Sequence, residues 1–122
     1  MNTHNLVNQD IDSITATVQD YFEGLHHADV DKLRQIFHAD ANLQAPGLRR
    51  SLSEWLKLVA QREVPAAQGV QFLYRILSID LIGDQAMVKL VCPLLGRTYI
   101  DFLGLLKEEA RWKIVNKMYA DL

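Results

Sequence analysis

A chain of 122 residues is one domain by length, able to remove roughly two-thirds of its unfolded surface from water without a metal or disulfide staple. Apolar residues at 49% and charged residues at 23% exclude a disordered segment, and 13 basic against 15 acidic residues, scattered along the chain, exclude a basic nucleic-acid footprint. No apolar run approaches the roughly 20 residues of a spanning helix, and the opening MNTHNLVNQD lacks the basic and apolar parts of a signal peptide. The expectation is a single domain over residues 1–122, cytoplasmic, with no nucleic-acid or membrane partner.

From Ile11 the apolar residues Ile14, Val18, Tyr21, Phe22 and Leu25 fall at steps of three and four, drawing one face of an α-helix. Asp10 and Asp12 suit its start. The run breaks at His27-Ala28-Asp29, where Asp29 is placed to accept the free amide protons of a second helix whose apolar side is Val30, Leu33, Ile36 and Phe37. Asn42-Leu43-Gln44 reads as a short strand closed by Ala45-Pro46-Gly47. Ser51 and Glu54 fit a capping box for a third helix buried through Leu52, Trp55, Leu56 and Val59, ending before Pro65.

After Gly69 the period changes to two. Val70, Phe72, Tyr74 and Ile76 share one face and Leu77, Ile79 and Leu81 the other, so this strand shifts phase at a bulge or bend. Gly83-Asp84 turns the chain into a strand from Ala86 to Cys92, Gly96 reverses it into Arg97–Lys107, and Glu108 to Arg111 lead into Trp112–Tyr119. Helices first and a meander last predict an α+β fold: three N-terminal helices packed on a strongly curved antiparallel sheet, forming a cone with an internal pocket. The last strands carry apolar residues on both faces, Met87 and Val91 opposite Val88 and Leu90. One helical layer covers one face, so a homodimer through the outer sheet face is expected.

The run Val18-Gln19-Asp20-Tyr21-Phe22-Glu23-Gly24-Leu25, then Ala28-Asp29, then Phe37-His38-Ala39-Asp40-Ala41, resembles the recurring helix, break and first strand of the nuclear transport factor 2-like superfamily, which includes ketosteroid isomerases and polyketide cyclases. The ending, Asp101 to Lys107 followed by Trp112-Lys113-Ile114-Val115, is similar to its "putative lumazine-binding" and SnoaL-like branch. In the isomerases a tyrosine on the first helix donates to the developing oxyanion, and the resemblance puts Tyr21 there. Their general base, a carboxylate just before a proline, matches Ala45, which cannot take a proton. Asp101 falls near their second, protonated acid, with a one-residue uncertainty in register that reverses its face.

On its strand face Asp101 lies between Tyr99 and Leu103. If that face lines the cone, burial favours the neutral, proton-donating acid; the alternative is an exposed position or a partner for Arg97. Asp101 and Tyr21 are thus the candidate catalytic pair. Trp55, Asn116, Gln44 and Tyr99 are the candidate ligand-binding residues. Trp55 reads as a lid over a flat ligand or as core, Gln44 as a ligand-orienting amide or a solvated strand end, and Asn116 as a buried amide that must find a partner. Arg49-Arg50 suits an anionic ligand or plain surface. Cys92, the only cysteine, reads as a small core residue, and His4, His26, His27 and His38 as solvated side chains with no metal-ligand spacing. No metal and no cofactor are expected, and the chain has no glycine-rich phosphate loop.

The leading expectation is a small-molecule-binding domain with an unidentified ligand. An enzyme of the isomerase or cyclase kind, using Asp101 and Tyr21, is the alternative, and a dimerisation or scaffold domain is the third.

Overall fold

The computed structural model describes the backbone of residues 3–122 and the side chains of residues 6–122. His4 lies outside the described side chains. Helix α1 runs Thr3–His27, and its predicted stripe is the centre of the core: Ile14, Val18, Tyr21 and Phe22 are fully buried and Leu25 nearly so. The helix starts well before Ile11, so Asp10 does not cap it. Asp10 instead accepts from Lys107 Nζ at 3.0 Å and Trp112 Nε1 at 3.1 Å, fastening the helix to the far end of the sheet.

The break falls where expected. Ala28 adopts a left-handed φ of 51°, and Asp29 caps helix α2 (Val30–Ile36) by accepting from the Lys32 amide. Gly24 lets the two helices close on each other, since a Cβ there would lie 2.6 Å from Leu33 Cδ2. Phe37, expected on the second helix, opens strand β1 (Phe37–Ala45), which turns through Gly47 into β2 (Leu48–Ser51). The capping box at Ser51 and Glu54 is formed in both directions and starts α3 (Leu52–Gln61).

Strand β3 covers Arg75–Ile82, so residues 70–74 of the predicted strand are not part of it. Its phase shift is a bulge between Ile76 and Ser78. Strands β4 (Gln85–Leu94), β5 (Arg97–Glu108) and β6 (Arg111–Asp121) complete an antiparallel meander. The sheet is open, six-stranded and ordered β2-β1-β6-β5-β4-β3. It is mixed rather than wholly antiparallel, because β1 lies parallel to β6.

A second bulge decides which side chains face the helices. Leu105 pairs with Ile114 but Gly104 pairs with Asn116, leaving Val115 as the extra residue. Ahead of it Ile114 points into the core; beyond it Lys117 does. Cross-strand partners then place Val88, Leu103 and Lys117, and next Leu90, Asp101 and Tyr119, on the helix-facing side. Met87, Phe102 and Met118 share the outer side and are 39%, 42% and 41% exposed. No helix among the described residues is long and apolar enough to cross a membrane.

Candidate functional site

Between the helices and the inner face of the sheet lies a cavity of about 170 Å³. Its walls come from α1 through Tyr21, α3 and its end through Trp55 and Arg62, and the sheet through Tyr99, Asp101 and Lys117. Asp101 is 2% exposed, so the register places it inward, and Arg97 pairs with Asp121 instead. The Tyr21 hydroxyl donates to Asp101 Oδ2 at 2.7 Å, joining residues 80 positions apart. The Cys92 thiol points at the same oxygen from 3.8 Å. Asp101 Oδ1 is buried with no hydrogen-bond partner among the described residues.

Arg62 follows the last turn of α3, its backbone amide closing the helix on the Leu58 carbonyl. Its Nε and Nη2 are buried and have no partner among the described residues either. Lys117 is 8% exposed and holds its ammonium 4.3 Å from the centre of the Trp55 ring and 5.5 Å from those of Tyr21 and Tyr119, a set of cation–π contacts. Trp55 in turn stacks on Tyr21 with centroids 6.4 Å apart.

Burial is the first cause of every resolved shift in this cluster. It pushes the Tyr21 hydroxyl well above its ordinary value, reinforced by the Asp101 charge. It pushes the Cys92 thiol up as well, which leaves that thiol protonated and unreactive. Desolvation draws Lys117 down against the opposing pull of Asp101, and draws Arg62 down.

Four of the six expected site residues meet here: Tyr21, Asp101, Trp55 and Tyr99 all line the cavity. Trp55 is both core and wall, at 5% exposure. Asn116 does not reach it; the Val115 bulge turns its side chain to the outer face, where Oδ1 accepts from the Gly104 amide at 3.0 Å. Gln44 also stands apart, in a shallow groove with Pro46 and Arg49 beside the strand end. Of the basic pair, Arg50 lines the cavity and Arg49 bonds the carbonyls of Ala45 and Leu48.

Lys117 and Arg62 are the residues that sequence reasoning missed. Period two places Lys117 opposite Ile114 until the bulge is known, and a lone arginine at a helix end carries no signal of burial. The solvated reading of the histidines fails at His26, which is 8% exposed with Nδ1 3.0 Å from the Tyr74 hydroxyl. Among the described residues no group of three or more His, Cys, Asp or Glu side chains is placed to hold a metal ion.

Residues 9–120 match the family described as "Putative lumazine-binding". The chain belongs to this family. Its fold matches that of a nuclear transport factor 2-like protein of unknown function from Silicibacter pomeroyi, 26% identical, with a TM-score of 0.81 and 100% of each chain covered. A second such protein, from Shewanella baltica, is 22% identical at a TM-score of 0.80, covering 93% of this chain and 94% of that one. A protein described as a "putative ketosteroid isomerase" from Shewanella frigidimarina shares the fold at 19% identity and a TM-score of 0.62, over 86% of this chain and 92% of that one. No curated protein matches the sequence.

Proposed function

We propose that this domain binds a small organic molecule in the cavity between α1, α3 and the sheet. The observation that carries the reading is the set of buried polar atoms left without partners, Asp101 Oδ1 with Arg62 Nε and Nη2, in residues that line one hollow. A buried polar group without a partner costs about 1–3 kcal/mol, more for charged groups, and a ligand that satisfies them regains that energy. Tyr21 and Trp55 make part of the cavity lining aromatic. Thermal shift against a metabolite panel tests the reading: a ligand of the site gives saturable stabilisation that Trp55→Ala or Asp101→Ala removes. Stabilisation unchanged by both substitutions contradicts it.

Binding is favoured over isomerase-type catalysis for two reasons. Ala45 offers no base, and the Tyr21 hydroxyl is already donating to Asp101, so it does not stand as a free donor for an oxyanion.

The same reading includes a homodimer. Met87, Phe102 and Met118 lie on three adjacent strands, with Phe102 directly opposite Met118, and a second copy covers this apolar outer face. Light scattering on Phe102→Glu checks this: a dimer in the parent and a monomer in the variant are expected, and a monomeric parent contradicts it.

A further inference from the structure

The cavity holds an imbalance of charge that narrows its ligand. Arg50, Arg62 and Lys117 line it against a single carboxylate, Asp101. Concentrating positive charge in a desolvated hollow is unfavourable unless an anion offsets it. The two unpartnered nitrogens of Arg62, Nε and Nη2, form one edge of the guanidinium plane. Two parallel N–H groups on one edge match the two oxygens of a carboxylate. Opposite charge is supplied a second time by Lys117, whose ammonium already sits over the Trp55 ring.

Size and shape add to this. A cavity of about 150 Å³ holds benzene, so about 170 Å³ holds a single-ring body. The Trp55 and Tyr21 rings, inclined at 22° to each other, both line it, so part of its wall is aromatic. Asp101 Oδ1 faces no donor and is free to accept from an O–H or N–H.

We propose that the ligand is a small aromatic carboxylic acid, its carboxylate seated on the Nε–Nη2 edge of Arg62 and its ring against Trp55. A hydroxyl or amino substituent on the ring donates to Asp101 Oδ1. This rests on the small-molecule reading above and names the ligand class.

Calorimetric titration separates the two. Benzoate, 4-hydroxybenzoate and the uncharged benzamide and benzyl alcohol are each titrated into the full chain, its Arg62→Gln variant and its Arg62→Lys variant, with circular dichroism confirming the fold of each. The acids bind the parent saturably, 4-hydroxybenzoate more tightly than benzoate, and Arg62→Gln weakens both by about 30-fold or more. Arg62→Lys keeps the charge without the fork and restores affinity only in part. Uncharged rings that bind as tightly as the acids, or acids indifferent to Arg62→Gln, overturn the carboxylate assignment while leaving a ligand chamber in place. Absence of binding by all four compounds overturns the assignment too; the metabolite panel then decides separately whether the chamber binds anything.

Discussion

Tyr21 and Asp101 hold each other across the core, the hydroxyl of the first helix 2.7 Å from a carboxylate oxygen of the fifth strand. Each is buried, and each needs the other. Removing the hydroxyl with Tyr21→Phe leaves Asp101 with the weak thiol of Cys92 as its remaining donor and destabilises the fold by about 1–3 kcal/mol. Asp101→Asn keeps an acceptor for Tyr21 and costs less. Denaturant unfolding of both single variants and the double variant measures the coupling, and a value of at least about 0.5 kcal/mol is expected.

Acid lowers stability through His26 in one window and, in the carboxylate window, through Asp10 and Glu54, the latter held down by its capping-box bonds with Ser51. Asp10 is held below its ordinary carboxylate value, chiefly by its hydrogen bond from Lys107. A depressed acid contributes stability that is present above its unfolded value and lost as pH falls through its folded one. His26 is lowered by burial, so the unfolded chain takes up a proton first; its destabilising effect begins as pH falls past 6.5 and levels off below the folded value. Urea midpoints measured against pH show the slope near pH 6.5 vanish in His26→Gln and the slope in the carboxylate range shrink in Asp10→Asn, the remainder belonging to Glu54. The latter substitution also weakens two hydrogen bonds and costs about 1–3 kcal/mol at neutral pH.

Two glycines make opposite demands on their neighbours. At Gly24 an added Cβ meets Leu33 Cδ2 at 2.6 Å and Cγ at 2.7 Å, and Leu33 is fully buried with nowhere to go. Gly24→Ala is expected to cost about 1–3 kcal/mol by overpacking. At Gly104 the obstacle is the end of a side chain, Asn116 Oδ1 at 2.5 Å. Gly104→Ala displaces that amide and forfeits its bond to the Gly104 backbone, about 1 kcal/mol. Thermal unfolding distinguishes them: pairing with Asn116→Ala makes the Gly104 change less costly, whereas the Gly24 effect is independent of Asn116.

The helical half was legible because its signals are local. Ile14 to Leu25 keep one period, Asp29 and Ser51 sit beside the amides they cap, and Gly83 and Gly96 turn the strands where they stand in the chain. What was not legible depends on contacts between distant segments. Strand β1 extends back to Phe37 because β6 lies parallel beside it, a pairing no local pattern announces. Residues 70–74 alternate like a strand yet Tyr74 and Phe72 pack as rings against His26 at the end of α1.

The site divides along the same line. Tyr21 and Asp101 line the cavity as expected, Tyr21 singled out by the resemblance to the isomerases and Asp101 as an acid between apolar residues. Val115 then undid the rest: one extra residue in β6 carries Asn116 outward and Lys117 inward, since side chains in a strand alternate. Arg62 becomes a cavity residue only when α3 is laid across the sheet.

The central claim is that a hollow lined by residues with unsatisfied buried polar atoms receives a small acid. The chain has two tryptophans, so Trp112→Phe leaves Trp55 as the sole indole, in contact with the Lys117 ammonium at the cavity wall. Fluorescence of that variant titrated with 4-hydroxybenzoate reports the cavity alone. A saturable change that disappears when Arg62→Gln is added is the predicted result; an emission unmoved up to millimolar ligand, in a protein that circular dichroism shows folded, contradicts the account.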